Sequence, residues 1–178
     1  TIIFQADADN KTADFYGWKS KITTVNDPVD EGSKCYKVLP ENDTEAIYVS
    51  CMNRISIKAG ATYCVDFDVM LASSGTSENI DASFSGSVLF NMRYKDASGS
   101  TKDHIVGSSG NLTGDGEWKH VTLTFTVAAD TPSTNEEFSL YSNPVSGKGV
   151  GFYIDNLFIR EEPSEADNDS EIDSDLIA

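Results

Sequence analysis

The chain is poor in positive charge. Its 178 residues carry 13 Lys and Arg against 29 Asp and Glu, a formal net charge of -16. No basic stripe offsets this, and an acidic body repels phosphate backbones and anionic lipid surfaces. Nucleic acid and membrane surfaces are therefore not expected partners. Long apolar runs are missing as well: none approaches the ~20 residues that span a bilayer. Cysteine is limited to Cys35, Cys51 and Cys64. An odd count cannot close a complete disulfide framework, and neither these spacings nor His104 and His120 complete a zinc site. Buried free thiols are the expectation, although Cys51 and Cys64 on neighbouring strands would be close enough to pair. No amphipathic helix of useful length can be drawn.

Catalytic signatures are also lacking. There is no Gly-x-Ser-x-Gly elbow, phosphate loop or cofactor fingerprint. Asp66 and Asp68 share one strand face at i, i+2, about 6.5–7 Å apart. That separation suits a pair of glycosidase carboxylates. However, no further acid completes the Glu-x-Asp-x-x-Glu arrangement of sandwich glucanases. The pair reads as polar surface, as ligand-bonding groups, or as catalytic acids, and the chain as a whole as a non-enzyme.

What the sequence does have is alternation. Tyr63, Val65, Phe67, Val69 and Leu71 alternate with Cys64, Asp66, Asp68 and Met70. Five apolar positions at period two mark a strand with one buried face. The same pattern recurs around Ile47–Cys51, Val88–Lys95, Lys119–Val127, Glu137–Ser142 and 150–160. Turn chemistry separates the runs, as in Asn26 to Gly32 and Asp96 to Gly99. About ten short strands predict an all-β fold of antiparallel sheets, a β-sandwich or jelly roll, over residues 1–162. Residues 161–178 hold eight acids and no base. Residues 163–178 are expected to be an acidic, disordered linker. A start at Thr1 is expected for an excised module or mature fragment.

One charge stands out in the closing strand. Asp155 lies inside Gly149 to Ile159, which otherwise reads as core. It is either a cation ligand or a carboxylate bonded to backbone at a bulge. Asp7, Asp9 and Asp14 form an early acidic loop, read either as solvated surface or as a source of further ligands.

Several segments together resemble carbohydrate-binding modules of families 4, 9 and 22. Glu31 to Val38 (EGSKCYKV) resembles their G-x-x-x-L-x-V strand. Ile55 to Val65 (ISIKAGATYCV) resembles V-x-L-x-x-G-x-x-Y-x-L. Gly116 to Val127 (GEWKHVTLTFTV) is similar to W-x-x-V-x-x-x-F-T-V, and Gly151 to Ile159 (GFYIDNLFI) to F-Y-I-D-D-V-x-L. Phe4-Gln5 with Gly17-Trp18 echoes an opening F-E … G-W. The segments run in order over about 1–160.

The resemblance implies a jelly roll with one structural Ca²⁺. Carried onto this chain, its ligands would be Asp155, Gln5, and Glu31 or the backbone from Gly32 to Lys34. Gln5 departs from the family carboxylate, and Asp7 or Asp9 would supply the missing charge. The resemblance also implies a non-catalytic module that binds a plant cell-wall polysaccharide (β-glucan, xylan or mannan type) across a concave sheet face. Stacking aromatics and polar neighbours would line that face. Tyr48, Arg54, Asp66, Asp68, Asn91, Arg93, Thr122 and Tyr141 are the candidates on the outward parity. Arg93 beside Asp66 or Asp68 would equally make a plain cross-strand ion pair. Trp18 and Trp118 are expected to pack over sandwich edges. The implied setting is a secreted or cell-surface bacterial protein, monomeric, with the module directing attached enzymes. The alternative is a structural or adhesion domain without glycan binding.

Overall fold

The alternating runs become strands of two stacked antiparallel sheets. The computed structural model describes residues 2–10, 15–51, 55–76, 83–96, 98–130 and 135–163. Arg54, Asp14 and the expected linker from residue 164 onward lie outside them, as does the side chain of Cys51. Among the described residues the strands are β1 (Ile2–Ala6), β2 (Phe15–Trp18), β3 (Ser20–Asp27), β4 (Asp30–Pro40), β5 (Ile47–Cys51), β6 (Ile55–Ser56) and β7 (Thr62–Ser74). They continue with β8 (Ser85–Gly86), β9 (Leu89–Lys95), β10 (Thr101–Ser108), β11 (Leu112–Thr113), β12 (Lys119–Thr126), β13 (Asn135–Ser142) and β14 (Val150–Glu161).

The first sheet runs β12-β7-β14-β4-β3, with β1 also on β14. The second runs β10-β9-β13-β5-β2, with β6 on β13. β8 and β11 pair with each other as a separate two-stranded sheet. The all-β sandwich expected from the sequence is the fold.

Each sheet turns one parity inward. Val65, Phe67, Val69 and Leu71 of β7 and Phe152, Ile154 and Ile159 of β14 meet Ile47, Val49, Phe90, Phe138 and Leu140 of the second sheet, all at or near zero exposure. Each such side chain stabilises by roughly 1.5–3 kcal/mol when fully buried. The core therefore holds the sheets face to face and leaves both outer parities for other roles.

The first sheet's outer face is partly roofed. Cys35, Met70, Ala72 and Tyr153 form a second buried cluster there, with Val25 and Trp118 packed on it. Trp118 donates its indole Nε1–H to the carboxylate of Asp27, at 3.2 and 3.0 Å. Trp118 is thus structural, as expected.

β14 organises this sheet. One of its edges follows β7, from Val150–Ser74 to Glu161–Tyr63. Along its other edge, Phe152 to Ile154 pair with β4 and Leu157 to Arg160 with β1. The exchange of partners falls at Asp155 and Asn156. There the register shifts, and Asn156 takes a left-handed φ of 51°. Asparagine tolerates that conformation better than most residues. The bulge re-aims Asp155 into the gap between β4 and β1.

Candidate binding face and candidate metal centre

The second sheet leaves its outer parity open. Ladder partners line up across it: Trp18, Tyr48, Tyr141 and Leu89 in one row, and Tyr16, Ser50, Ser139, Asn91 and Ile105 in the next. Five strands at ~4.8 Å spacing make such a row about 19 Å long. Tyr16, Trp18, Tyr48, Ser50, Arg93 and Ser139 line a cleft of about 390 Å³ on this face.

Tyr48 and Tyr141 stack at 4.5 Å between ring centroids, and Trp18 meets Tyr48 edge to face at 5.4 Å. Burial, then the neighbouring Tyr141, pushes the Tyr48 hydroxyl above its usual pKa. Trp18 is 45% exposed and Tyr16 50%. The Nζ of Lys19 lies 4.5 Å from the centre of the Trp18 ring, presented by a left-handed φ of 57° at Lys19. Apolar ring faces next to hydroxyls are what sugar rings require, because pyranoses pair apolar C–H faces with polar edges.

Beside the cleft, Asp103 of β10 gathers two donors from β9. Arg93 reaches it with Nε at 2.9 Å and Nη2 at 3.3 Å, and Asn91 with Nδ2 at 3.1 Å. Arg93, against some opposing burial, holds the Asp103 carboxyl below its usual range.

Four expected ligand residues therefore share this face: Tyr48, Asn91, Arg93 and Tyr141. Three do not. Asp66, Asp68 and Thr122 stand on the outer face of the first sheet, on β7 and β12. They cannot share a groove with Tyr48, because the core lies between the two faces. Nor does Arg93 pair with Asp66 or Asp68; its partner is Asp103.

Asp66 instead accepts from Thr122 Oγ1 at 2.6 Å and Arg160 Nη1 at 2.6 Å, with His120 Nε2 at 3.2 Å. Asp68 holds His120 Nδ1 at 2.8 Å and accepts from Asn156 Nδ2 at 2.9 Å. Burial pushes the Asp66 carboxyl up, but Thr122, Arg160 and His120 outweigh it and the net shift is downward. The two acids form a self-contained polar network.

Trp18 is corrected as well. It ends β2 in the cleft rather than packing over an edge. Tyr16 was missed altogether. The signal lay in Phe15-Tyr-Gly-Trp18, where Tyr16 and Trp18 share a parity.

A second hollow, of about 410 Å³, includes Asn111, Thr113, Asp115, Glu117, Trp118 and His120 in its lining. Its two rings are already committed, Trp118 to Asp27 and His120 to Asp66 and Asp68. It offers no comparable stacking platform.

At the β14 bulge, Asp7, Asp9 and Asp155 converge. Each offers a carboxylate oxygen within 4.8 Å of the others. Asp155 is only 9% exposed and accepts from the Ala8 amide at 3.0 Å. The Lys34 amide donates to Asp9 at 2.8 Å, which brings the backbone of β4 to the cluster. Asp7 is held below the usual carboxylate range first by Asn10, which donates to it at 2.7 Å. Asp155 is pushed above that range by burial, with Asp7 and Asp9 adding like-charge repulsion.

Three converging acids with no base among them suit a hard cation held by oxygen ligands. Of the expected ligands, Asp155, Asp7 and the segment at Lys34 are at this place. Gln5 is paired in β1 opposite Phe158 nearby. Glu31 is not among the converging carboxylates.

The protein is a β-sandwich whose second sheet has an open outer face lined by aromatic rings. A sequence model of the carbohydrate-binding-domain family (families 4 and 9) matches residues 1–146, and the chain belongs to that family. Among curated protein sequences none matches it significantly.

Solved structures share the fold. The xylan-binding CBM22-1 domain of Paenibacillus barcinonensis Xyn10C aligns with a TM-score of 0.69 at 15% identity, over 92% of this chain and 96% of that one. The Clostridium thermocellum endo-1,4-β-D-xylanase 10B structure, CBM22-1 with GH10 modules and xylohexaose, aligns with a TM-score of 0.65 at 12% identity, over 91% of this chain and 29% of that one. A family 16 carbohydrate-binding module aligns with a TM-score of 0.51 at 18% identity, over 80% of this chain and 87% of that one.

Proposed function

We propose that this domain is a non-catalytic module that binds a β-linked plant cell-wall polysaccharide, xylan first, across the outer face of the second sheet. The observation that carries the reading is the row Trp18, Tyr48 and Tyr141 beside Tyr16, around a cleft that Ser50, Ser139 and Arg93 also line. Four rings on one outer face support glycan binding over a spacer or adhesion role. The folds that resemble it support xylan over mannan or β-glucan, since two of them are described with xylan or a xylo-oligosaccharide.

In this reading the module acts by holding an attached enzyme against its substrate, in a secreted or cell-surface protein. Effective concentration rises when binding and catalysis share one chain. Asp7, Asp9 and Asp155 hold a structural Ca²⁺, supported by their convergence and by the like-charge repulsion that Asp7 and Asp9 add to the burial of Asp155. The ion neutralises repulsion among the three acids and ties β14 to the loop after β1.

Native affinity electrophoresis in gels containing xylan, galactomannan or mixed-linkage β-glucan tests the reading. Retardation by xylan is the expected result, and mobility unchanged in all three gels would sink it.

A further inference from the structure

We propose that the cleft prefers polysaccharide chains that carry carboxylates, such as xylan with uronic-acid side groups, and that Lys19 at its rim is the residue that selects them. This rests on the glycan-binding reading of the same face and adds the kind of chain it takes.

The chain as a whole is acidic, with 29 acids against 13 bases. The cleft departs from that balance. Among the described residues it is lined by Tyr16, Trp18, Tyr48, Ser50, Arg93 and Ser139, one base and no acid. The charge on Arg93 is met by Asp103 beside the cleft. The charge on Lys19 is not met by a carboxylate. Ion pairs among the described residues tie Lys58 to Glu161, Lys148 to Asp43 and Arg160 to Asp66 and Glu162, and none includes Lys19. Its ammonium rests instead on the indole of Trp18, 4.5 Å from the ring centre. An aromatic face attracts a cation through its quadrupole and leaves the formal charge in place. The rim therefore holds a positive charge with no counter-ion beside one of the rings that a sugar would stack on.

The backbone sets this placement. Lys19 lies between β2 and β3, where the chain leaves the second sheet for the first. It takes a left-handed φ of 57°, and its carbonyl accepts from the Glu41 amide at 3.0 Å. Glycine or asparagine adopts that conformation at less cost than lysine. The turn itself gains nothing from a lysine, whereas the long stem carries the ammonium back over Trp18.

Trp18 is 45% exposed with the ammonium in place, so the ring stays open to a sugar without Lys19 leaving it. A carboxylate on the bound chain gains charge-assisted hydrogen bonds from the ammonium. The acidic body opposes an anionic ligand, but across solvent that repulsion fades beyond about 8 Å at physiological ionic strength. The contact at Lys19 acts inside that distance.

The test uses glucuronoxylan and the same polymer with its carboxyls reduced to alcohols, so that the backbone is constant and the charge is not. Affinity electrophoresis in gels of each is run at low and at high salt. The natural protein is expected to bind the acidic polymer about threefold more tightly, the scale of one exposed ion pair. Salt should shrink that ratio. Lys19→Asn removes the charge and suits the left-handed turn, so its ratio should fall to about one with the melting temperature held. Lys19→Arg keeps the charge and should keep the preference.

Equal affinity for the two polymers, or tighter binding of the reduced one, would overturn the inference and leave the glycan-binding reading standing. A preference that persists in Lys19→Asn would overturn the role of Lys19. Lys19→Gly, which also suits the turn, takes the place of the asparagine variant if that protein gives no cooperative melt. No retardation of the natural protein by either polymer would remove the glycan-binding reading itself.

Discussion

Tyr48 and Tyr141 stack across neighbouring strands, 4.5 Å between centroids and 28° between planes, while Trp18 sets its ring against Tyr48 from the other side. Tyr48 is therefore a support for two rings, and Trp18 is the more exposed platform. Replacing Trp18 with alanine should weaken xylan binding about tenfold or more, ~1.4 kcal/mol, with little change in melting temperature. Tyr48→Ala should weaken binding and lower the melting temperature together, since it deletes two ring contacts of ~0.5–1.5 kcal/mol each. Calorimetry against a xylo-oligosaccharide, with melts of each variant, separates the two behaviours. Full affinity in Trp18→Ala would remove this residue from the site.

The β14 bulge makes a second, independent prediction. If Asp7, Asp9 and Asp155 hold Ca²⁺, the ion binds the folded chain and not the unfolded one. At a hundred times the dissociation constant that stabilises by ~2.7 kcal/mol, or roughly 5–11 °C for a chain of this size. EDTA should reverse the shift, and Asp155→Asn should abolish most of it. A melting temperature indifferent to both Ca²⁺ and EDTA would show that the three acids are tolerated without a cation.

Much of this was readable from residue order, and the part that was not has a common cause. Period two separates inward from outward side chains, so the core of β7 and the odd charge at Asp155 could be read directly. Parity does not say which sheet a strand joins. β7 pairs with β12 and β14, whereas β5 pairs with β2 and β13. These are long-range choices set by packing. Asp66, Asp68 and Thr122 were therefore grouped with Tyr48 although the core separates them. Even local register was one residue out of reach. Counting back from a four-residue Asp96–Gly99 turn sets Arg93 opposite Lys102, whereas the connection runs on through Ser100 and Arg93 faces Asp103, its observed ion-pair partner. Asp9 joined Asp155 through the partner exchange on β14, a feature with no local sequence mark beyond Asp155-Asn156 itself.

The thiols should be inert in the folded protein. Cys35 is fully buried against Met70, Ala72 and Tyr153, and burial, with nearby acids, raises its pKa to about 12. Cys64 is 3% exposed and is also raised by burial. Thiolate, not thiol, is the reactive species. In a Cys51→Ser background, an aromatic disulfide reagent should label neither residue until denaturant is added, and then both. Rapid labelling of the native protein would contradict the burial of these two thiols. Cys35→Ser should cost ~1–3 kcal/mol, because it places a hydroxyl in an apolar site.

His120 should make stability fall from slightly acidic to slightly alkaline pH. Its ring bridges Asp68 and Asp66, and the hydrogen bond to Asp68, opposed by a little burial, raises its pKa above the ordinary 6.5. A raised folded pKa means the protonated form is bound more tightly in the folded state. The contribution is complete below pH ~6.5, where the unfolded chain is also protonated, and is lost as pH rises through the folded value. The side chain is 60% exposed, so the effect should stay under ~1 kcal/mol. Urea unfolding at pH 6 and pH 8.5 for the natural protein and for His120→Gln isolates it. The natural protein should lose more stability than the variant over that interval, and the ring's proton resonances should titrate above 6.5. Equal losses in both proteins would show that the bridge to Asp66 and Asp68 is not formed in solution.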